Sequence, residues 1–342
     1  MNNRKVWPHA AQGILEEVLG RNKTNVFSCN SVEVNVPSTT ANLGPGFDVF
    51  GLAHDAFVDT IRIEVVSGGQ IDVDVVGVDS NSVSSSVEEN TAGIVANSVA
   101  HRLPSGYGLR LRIVKRIPVG KGLGSSGASA AACIFGLNRI LGLSLSNDQM
   151  IQLAAYGEVA SAGSAHADNV AASVLGGFTI IQSYQPFRVI GISPPDNLRI
   201  VVAIPELSNG EKKTARARAA LPKLVPMEKM VCNVGHASSM IVGILTRDLK
   251  LIGRSMTDVI VEPERAKMIP GYWKVKERAL AAGADGVAIS GAGPSMIAIT
   301  DEHGIAGVQI AEAMRGGFEA EGVNCRAFVS KPTKGATIVS EE

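Results

Sequence analysis

Polar and apolar residues alternate with a period of two in several short stretches of the chain, the pattern of a strand with one buried face. The stretch 31–36 alternates in this way and is closed by Pro37, and 109–113 carries arginines on its polar face. Stretches 57–66 and 70–76 predict a pair of strands with Gly68-Gly69 as the turn. Further strands are predicted at 176–181, 198–204, 287–290, 295–300 and 324–329.

Helices are predicted between these strands. Asn90 is a suitable capping residue for a helix that begins near Thr91, because its side chain can accept hydrogen bonds from the first free amides. The other predicted helices span about 125–141, 147–160, 211–221, 226–249, 270–282 and 304–316.

The order of these elements predicts an α+β fold in two domains. The last part of the chain reads β-β-α-β, and with the strand at 198–204 it indicates an antiparallel sheet backed by helices. The Pro194-Pro195 break marks the predicted boundary. We therefore expect an N-terminal extension of unknown role at 1–30, a first domain at 31–195 and a second at 196–342.

Composition narrows the possible functions. Lys and Arg (32) balance Asp and Glu (32), and the basic cluster at 212–218 is short, so nucleic acid is not an expected partner. The four cysteines stand far apart, which favours neither zinc nor disulfides and suggests a reducing, cytoplasmic setting. No apolar run approaches the roughly 18 residues of a membrane span, so no membrane association is expected.

A glycine-rich loop before the helix at 125–141 is the most informative stretch. It reads Pro118-Val-Gly-Lys-Gly122-Leu-Gly124-Ser125-Ser126-Gly127-Ala-Ser129. Glycine lets the backbone approach a ligand closely, and the first amides of a helix have no partners within the helix. Together with the positive end of the helix dipole, these amides predict a phosphate-binding site.

Two other nucleotide-binding motifs compete with this interpretation. A Walker loop requires Ser or Thr after Gly-Lys, whereas Lys121 is followed by Gly122. The stretch from Gly122 to Gly127 matches the Rossmann pattern G-x-G-x-x-G, but a Rossmann loop follows an almost wholly apolar strand, and the strand here contains several basic residues. Dinucleotide binding is therefore the second hypothesis.

Three motifs in this sequence resemble those of the GHMP kinases (galacto-, homoserine, mevalonate and phosphomevalonate kinases). They are Pro37-Ser-Thr-Thr-Ala41-Asn42-Leu-Gly-Pro-Gly46-Phe-Asp48, the loop at 118–129, and Ser290-Gly-Ala-Gly-Pro-Ser295, in that order. The resemblance runs from about residue 31 to the C-terminus. It implies an N-terminal, ATP-binding domain like domain 2 of ribosomal protein S5 and a ferredoxin-like C-terminal domain.

The resemblance also implies an ATP site. The phosphates would lie over the glycine loop, with adenine near Asn90 and Lys121 near the phosphates. The residues implied are Asn90, Pro118, Lys121, Gly122, Leu123, Gly124, Ser125, Ser126, Gly127 and Ser129.

The form of the first motif, from Asn42 to Asp48, is similar to that of the homoserine kinase branch, as are the segments at 156–158, 166–169, 176–178 and 262–265. L-Homoserine is a zwitterion, so its pocket needs a carboxylate for the ammonium and a cation, preferably arginine, for the carboxylate. The resemblance implies an acceptor site made of Asn42, Asp48, His166, Thr214, Arg218 and Arg265. Plainer roles stay open: Asp48 as a helix cap, Arg218 as a solvated residue beside the exposed Arg216, and His166 as an ordinary capping or core histidine.

The resemblance implies catalysis by Ser126, Glu158, Asp168 and Asn169, with Mg²⁺ held by Ser126 and Glu158. A carboxylate on the apolar helix around Glu158 is costly unless it is paired or binds a metal, and a salt bridge is the alternative. Asp168 is a candidate base by position. The expected mechanism is stabilisation of the transition state by Mg²⁺ and the helix N-terminus.

The function implied is phosphorylation of L-homoserine by ATP in threonine biosynthesis, by a homodimer. Two alternatives are a GHMP kinase acting on another small alcohol and a regulatory GHMP protein that binds nucleotide without catalysis.

Overall fold

The structure is a computed structural model that describes residues 27–162, 167–207, 213–302 and 305–342. In chain order, the described strands and helices are β1 (Ser31–Asn42), β2 (Gly46–Ser67), β3 (Ile71–Gly77), α1 (Thr91–Val99), β4 (Tyr107–Lys115), α2 (Ser125–Leu141), α3 (Asn147–Ala162), α4 (Ala167–Leu175), β5 (Phe178–Tyr184), β6 (Phe187–Ile192), β7 (Leu198–Pro205), α5 (Lys213–Ala219), α6 (Met227–Thr246), α7 (Leu249–Ser255), α8 (Glu262–Ala266), α9 (Tyr272–Ala281), β8 (Gly286–Ile289), β9 (Met296–Asp301), α10 (Ala306–Glu319), β10 (Cys325–Ser330) and β11 (Thr337–Glu341).

The first sheet has the strand order β11-β1-β2-β4-β3, and the β5-β6 hairpin joins it through β2. Its alternating strands bury one face: Ile61 and Ile63 of β2 lie opposite Ile113 and Leu111 of β4, and all four side chains are fully buried. Helices α1, α2, α3 and α4 cover this face. The period-two alternation thus fixes which side of the sheet carries the helices.

The second sheet is antiparallel, with the order β10-β7-β9-β8. Numbered along the chain, its strands lie in the order 4-1-3-2, the arrangement of the βαββαβ ferredoxin-like motif. One face packs on α9 and α10 through Tyr272, Val275 and Phe318, while Ile200 and Ile297 on the other face extend the core of the first sheet. The predicted α+β class and the β-β-α-β order of the C-terminal part are confirmed.

The predicted hairpin of 57–66 and 70–76 is wrong. Gly68 and Gly69 do turn the chain with positive φ angles, but β3 pairs in parallel with β4, which lies between β2 and β3. Leu109, Leu111 and Ile113 of β4 are fully buried against β2, whereas the apolar residues of β3 stay partly exposed. The strand that buries more apolar surface therefore takes the inner position.

Strand β1 does not end at Pro37, as the sequence suggested, but continues to Asn42. The pairing register with β2 shifts between Pro37 and Ser38, so a bulge accommodates the residue that lacks an amide hydrogen. This continuation carries the first glycine-rich motif towards the second sheet.

The C-terminal strand returns to the first sheet. Strand β11 pairs antiparallel with β1, with Val32 opposite Glu341, although the predicted boundary at 195/196 assigns it to the second domain. At the other end, Ser28 of the predicted extension donates its backbone amide to Ile140 O at 2.9 Å, and Phe27 packs edge-on against Tyr107. Both chain ends of the described structure thus attach to the first sheet, and the domain limits stay a prediction.

Candidate active site

Three glycine-containing segments from distant parts of the sequence meet between the two sheets. Thr39 donates its amide to Leu123 O at 3.1 Å, which joins the first segment to the glycine loop. Ser290 Oγ donates to Gly122 O at 2.7 Å, and Gly291 N donates to Ala41 O at 3.1 Å. The third segment is therefore bonded to both of the others, and the sheets are held together where the motifs meet.

At two positions of the loop, no residue other than glycine fits this junction. Gly122 has a φ of +81° and Gly124 a φ of +72°, values that other residues rarely adopt. A Cβ on Gly122 would overlap Ser290 O, and a Cβ on Gly124 would overlap Thr39 Oγ1. The loop thus depends on glycine both for its conformation and for the close approach of the neighbouring segments.

Helix α2 begins at Ser125, as the sequence predicted, and its N-terminus opens into a cavity of about 130 Å³. The cavity lies between the glycine loop, the end of β1 and the third segment. Its described lining residues are Asn42, Asp48, Val119, Gly120, Gly122, Leu123, Gly124, Ser125, Ser126, Glu158, Asp168, Asn169, Arg218, Arg265, Gly291, Ala292 and Gly293.

A hydroxyl and a carboxylate meet at the start of this helix. Glu158 on α3 is 2% exposed, and Ser126 Oγ donates a hydrogen bond to Glu158 Oε2 at 3.0 Å. The described residues contain no cluster of three or more His, Cys, Asp or Glu side chains that could hold a metal. Mg²⁺ is commonly held by one or two carboxylates, water and substrate phosphates, so this oxygen pair fits Mg²⁺ rather than a metal that requires a full protein cage.

The Asp168-Asn169 pair lies at the start of α4, on another wall of the cavity. Asp168 Oδ1 accepts hydrogen bonds from Asn169 N at 2.8 Å and Asn169 Nδ2 at 3.2 Å. Asn169 Oδ1 in turn accepts from Thr39 Oγ1 at 2.9 Å. The first glycine-rich segment therefore fixes the orientation of the asparagine that holds the aspartate.

The opposite end of the cavity carries two arginines and an aspartate. Asp48 lies in β2 with a φ of +58° and accepts hydrogen bonds from Arg218 Nη2 at 2.9 and 3.0 Å. The side chain of Arg218 is 36% exposed but is paired with Asp48, so it is not simply a solvated residue, whereas Arg216 is exposed as expected. Asp48 lies in a strand, so the alternative that it caps a helix is also wrong.

Arg265 is buried beside this pair. It is 5% exposed, and its Nη1 donates to Gly291 O at 2.7 Å, the same carbonyl that accepts from Asn42 Nδ2 at 2.9 Å. Burial lowers the pKa of Arg265 from its usual value, and the charge of Asp48 opposes that shift. The Phe47 ring lies 5.1 Å from the Arg265 guanidinium and 5.4 Å from that of Arg218, so one aromatic ring contacts both cations.

The short helix α8 fixes the position of Arg265. Asp258 accepts the amides of Ile260 and Glu262, both at 2.8 Å, and so caps the turn that leads into the helix. Glu262 then accepts the Ile289 amide at 3.2 Å, which ties α8 to β8 next to the third glycine-rich segment. The start of the segment 262–265 is thus held by two carboxylates, that of Asp258 and that of Glu262 itself.

Comparisons with known proteins agree with this architecture. The model for the GHMP kinases N terminal domain matches residues 90–177, and that for the GHMP kinases C terminal domain matches 240–319. A homoserine kinase of Methanococcus vannielii is 44% identical over 78% of this chain and 87% of its own length. One from Pyrobaculum neutrophilum is 37% identical over 89% of this chain and 99% of its own.

The chain belongs to the homoserine kinase family of the GHMP kinases.

The crystal structure of homoserine kinase from Cytophaga hutchinsonii superimposes with a TM-score of 0.83 at 35% identity, over 91% of this chain and 98% of that one. The predicted GHMP fold is therefore confirmed. Membership of this family makes the chain an ATP-dependent phosphotransferase with an alcohol group as acceptor. The Rossmann alternative is wrong, because the loop precedes a GHMP domain helix and follows a strand of a mixed sheet.

Several predicted ATP-binding residues of this GHMP kinase lie outside the cavity lining: Asn90, Pro118, Lys121, Gly127 and Ser129. Asn90 is the N-cap of α1, where its Oδ1 accepts the amides of Ala92 at 3.0 Å and Gly93 at 3.2 Å. Lys121 Nζ donates to Leu207 O at 2.7 Å, beyond the end of β7, and burial lowers its pKa. In this structure Asn90 caps a helix and Lys121 joins the two domains.

A buried ion pair beneath the glycine loop was missed by the sequence analysis. Lys115 is 2% exposed and pairs with the fully buried Asp59. Its Nζ also donates to Ser125 O at 2.8 Å and Ser129 Oγ at 3.0 Å, in the first turn of α2. Asp59 Oδ1 accepts the amides of Arg116 and Ile117 just before the loop.

A sequence signal for this pair existed. Period-two alternation puts Lys115 on the same face of β4 as Leu109, Leu111 and Ile113, which is the buried face. A lysine at such a position requires a buried partner, because an isolated buried charge is very costly.

The side chains of two predicted acceptor residues lie outside the described structure. His166 lies outside the described residues, and although α5 includes Thr214, its side chain also lies outside them. Within the described part of the chain, no helix is both long and apolar enough to cross a membrane.

Proposed function

We propose that this enzyme transfers the γ-phosphoryl group of ATP to the side-chain hydroxyl of L-homoserine, giving ADP and O-phospho-L-homoserine, in threonine biosynthesis. The observation that carries the proposal is the two-ended cavity. One end is a helix N-terminus behind a glycine loop, and the other is an aspartate between two arginines. Phosphate recognition and amino-acid recognition thus face each other across one small space.

At the first end, the ATP phosphates would lie against Gly122, Gly124 and the free amides at the start of α2. Mg²⁺ would be held by Ser126 Oγ and Glu158, whose oxygens are 3.0 Å apart. The ion would supply positive charge to the oxygens of the transferred group. Because Glu158 is buried, its carboxylate acts in a medium where charge interactions are strong.

At the second end, the zwitterion of homoserine would replace the ion pair between Asp48 and Arg218. Its ammonium would pair with Asp48 and its carboxylate with Arg218. Asp48 and Arg218 carry charges complementary to the ammonium and the carboxylate of an amino acid. Arg265 adds a second, buried cation for the carboxylate. An acceptor without a carboxylate would leave Arg218 and Arg265 to share the single carboxylate of Asp48, so the site disfavours simple alcohols and sugars.

The chemical step depends on orientation and charge more than on a base. The hydroxyl would be held in line with the γ-phosphate, and the dipole of α2 would stabilise the charge that develops on it. In this mechanism Asp168 and Asn169 orient the reacting groups, and the phosphate takes the hydroxyl proton. Asp168 as a general base is the alternative, and it predicts a far larger loss of kcat in Asp168→Asn than orientation does.

Four further statements stay predictions. They are the homodimer, the cytoplasmic location, the lack of nucleic-acid and membrane partners, and the placing of adenine near Asn90. A kinase for another small alcohol is the second candidate for the substrate.

The decisive experiment is a coupled assay of ADP release with Mg-ATP and L-homoserine. Parallel reactions contain L-serine, mevalonate or galactose. We expect turnover with homoserine to exceed that with the others. We also expect Arg265→Ala to lower kcat/KM for homoserine about 100-fold or more, since it removes a buried charge contact.

Lys267→Ala is the matched control, because Lys267 is 68% exposed next to the same helix and its ammonium forms an exposed ion pair with Glu264. It should leave kcat/KM within about two-fold of wild type. Turnover with another alcohol would keep the fold and the phosphate site but overturn the acceptor. ATP binding without ADP release from any acceptor would favour the regulatory alternative.

A further inference from the structure

The turn between β1 and β2 has an unusual backbone. Among the described residues, six other than glycine have a positive φ, and three of these lie within the segment 42–48: Asn42 at +72°, Leu43 at +49° and Asp48 at +58°. A left-handed residue with a side chain is strained, and such strain persists only where the surrounding structure enforces it. The contacts that hold Asp48 therefore matter, because this residue lines the active-site cavity.

The strand pairing does not hold Asp48. In the described sheet, the pairing of β1 with β2 and that of β5 with β2 both leave out residues 47–49, since β1 resumes at Gly51 and β5 begins at Phe50. Buried or half-buried peptide groups need hydrogen-bond partners. Those of Asp48 must find them outside the strand pairing.

Two side chains supply these partners. Asp48 N donates to Asn42 Oδ1 at 3.2 Å, and Asp48 O accepts a hydrogen bond from Tyr184 Oη at 2.9 Å. Asn42 is itself held, because its Nδ2 donates to Gly291 O at 2.9 Å. The peptide planes before and after Asp48 are thus both fixed, and with them the φ and ψ angles of this residue.

Tyr184 is a rigid and permanent donor. It is the last residue of β5 and half-buried, and its ring packs edge-on against Phe187 with 6.0 Å between the ring centroids. Burial raises the pKa of its phenol, and the charges of Asp168 and Asp48 raise it further, whereas that of Arg218 opposes them. The phenol therefore keeps its proton at neutral pH and donates it to the Asp48 carbonyl.

The backbone conformation of Asp48 decides where its carboxylate lies. Both of its oxygens accept from Arg218 Nη2, at 2.9 and 3.0 Å. A change of φ from +58° to the extended range would rotate the side chain away from this direction. Tyr184 is not among the described residues that line the cavity, so its hydroxyl would act on the acceptor only through Asp48.

We propose that Tyr184 is a positioning residue of the acceptor site. Its hydroxyl holds the left-handed backbone of Asp48 and so presents the Asp48 carboxylate to the ammonium group of the acceptor. The inference rests on the proposed role of Asp48 as the carboxylate that binds this ammonium. One neutral hydrogen bond and the strain of one left-handed residue are of similar size, so loss of the hydroxyl is enough to release the segment.

The first test is the steady-state kinetics of Tyr184→Phe, which removes one oxygen and keeps the ring contact with Phe187. The KM for L-homoserine should rise about 3- to 10-fold, the value of one neutral hydrogen bond, with kcat and the KM for ATP within about two-fold of wild type. Tyr107→Phe is the matched control and should behave as wild type, because Tyr107 is 46% exposed at the start of β4. Equal rises in the KM for homoserine and the KM for ATP would indicate a general effect on the fold and would contradict the proposal.

The second test does not depend on the identity of the acceptor. Hydrogen exchange, measured by mass spectrometry, should be about 3- to 10-fold faster in the segment 42–52 of Tyr184→Phe than in wild type, and unchanged there in Tyr107→Phe. Exchange in Tyr184→Phe as slow as in wild type would overturn the proposal even if the KM for homoserine rises, because the hydroxyl would then contact the acceptor directly. A wild type that does not turn over homoserine would instead refute the proposed function, and faster exchange would still show that Tyr184 holds Asp48.

Discussion

The two ends of the active-site cavity are built on different principles. The proposed phosphate end relies on the backbone: positive-φ glycines, a helix start and contacts between main-chain groups of three segments. The proposed acceptor end relies on side chains, with Asp48, Arg218 and Arg265 brought from three elements and one ring in contact with both cations. A backbone site serves any phosphate, whereas a side-chain site can be specific for one acceptor.

The ion pairs next to the two ends also differ in burial. Beneath the phosphate end lies the fully buried Lys115–Asp59 pair, whereas the Arg218–Asp48 pair at the acceptor end is partly open to solvent. We therefore expect changes at the first end to affect stability and ATP together. Changes at the second end should affect the acceptor alone.

The largest expected effect is the removal of the buried lysine. Lys115→Met leaves Asp59 without its cation and should lower the free energy of unfolding by about 3–5 kcal/mol. Because Lys115 also holds the first turn of α2, the KM for ATP should rise more than the KM for homoserine. Denaturant unfolding and steady-state kinetics would measure both.

The matched control for this variant is Lys267→Met, which removes a lysine from an exposed pair with Glu264. Its cost should stay below about 1 kcal/mol. Equal costs for the two variants would contradict the view that burial makes the pair beneath the loop essential.

The next effect tests the glycine loop. Gly124→Ala places a methyl group against Thr39 Oγ1 and should lower kcat/KM for ATP about 10²- to 10³-fold, since it displaces the amides that we propose hold the phosphates. Gly69 has the same φ of +72° with nothing within 4 Å of a Cβ. Gly69→Ala therefore carries the same backbone strain of about 1–2 kcal/mol without the overlap, and activity should be retained. Similar kinetics for the two variants would show that strain alone explains the loss.

Acidification should lower the free energy of unfolding of the whole protein, because one buried histidine in β2 cannot easily take up a proton in the folded state. His54 in β2 is fully buried, and burial lowers its pKa from the usual 6.5 to about 4. Between these values the unfolded chain binds a proton that the folded chain does not, so stability falls as the pH falls from 6.5 towards 4. The loss attributable to His54 is about 3 kcal/mol over that range.

The check is the free energy of unfolding of wild type and His54→Asn measured at several pH values. Asparagine keeps a polar atom near Ser38 and Ser330, the neighbours of His54 Nδ1, but does not titrate. The difference between the two proteins should shrink by that amount as the pH falls. A difference that is independent of pH would refute the assignment to His54.

The smallest effect belongs to Arg218, the half-buried cation of the proposed acceptor end. Arg218→Ala should lower kcat/KM for homoserine about 10- to 100-fold, the value of a lost charge-assisted contact, with the KM for ATP within two-fold of wild type. Arg216→Ala on the same helix is the control and should behave as wild type, because Arg216 is exposed. An equal rise in the KM for ATP would contradict the view that changes at the acceptor end affect the acceptor alone.

The sequence by itself determined the glycine loop and the start of the helix that follows it. A helix start and the glycines before it are local, so residues 118–129 define both the conformation and the chemistry of the loop. The helix limits at 125–141 agreed with the structure for the same reason. The acceptor arginines were identified only through the resemblance of short motifs, because nothing local distinguishes Arg218 from the exposed Arg216.

The tertiary structure alone decided which distant groups meet. Asp48 and Arg218 are 170 residues apart, and Lys115 and Asp59 are 56 apart on strands whose pairing no local pattern specifies. It also placed β4 between β2 and β3, and gave Asn90 and Lys121 structural partners. The physical reason is that local sequence sets backbone conformation and the buried face, whereas the partner of a buried charge is set by the packing of the whole chain.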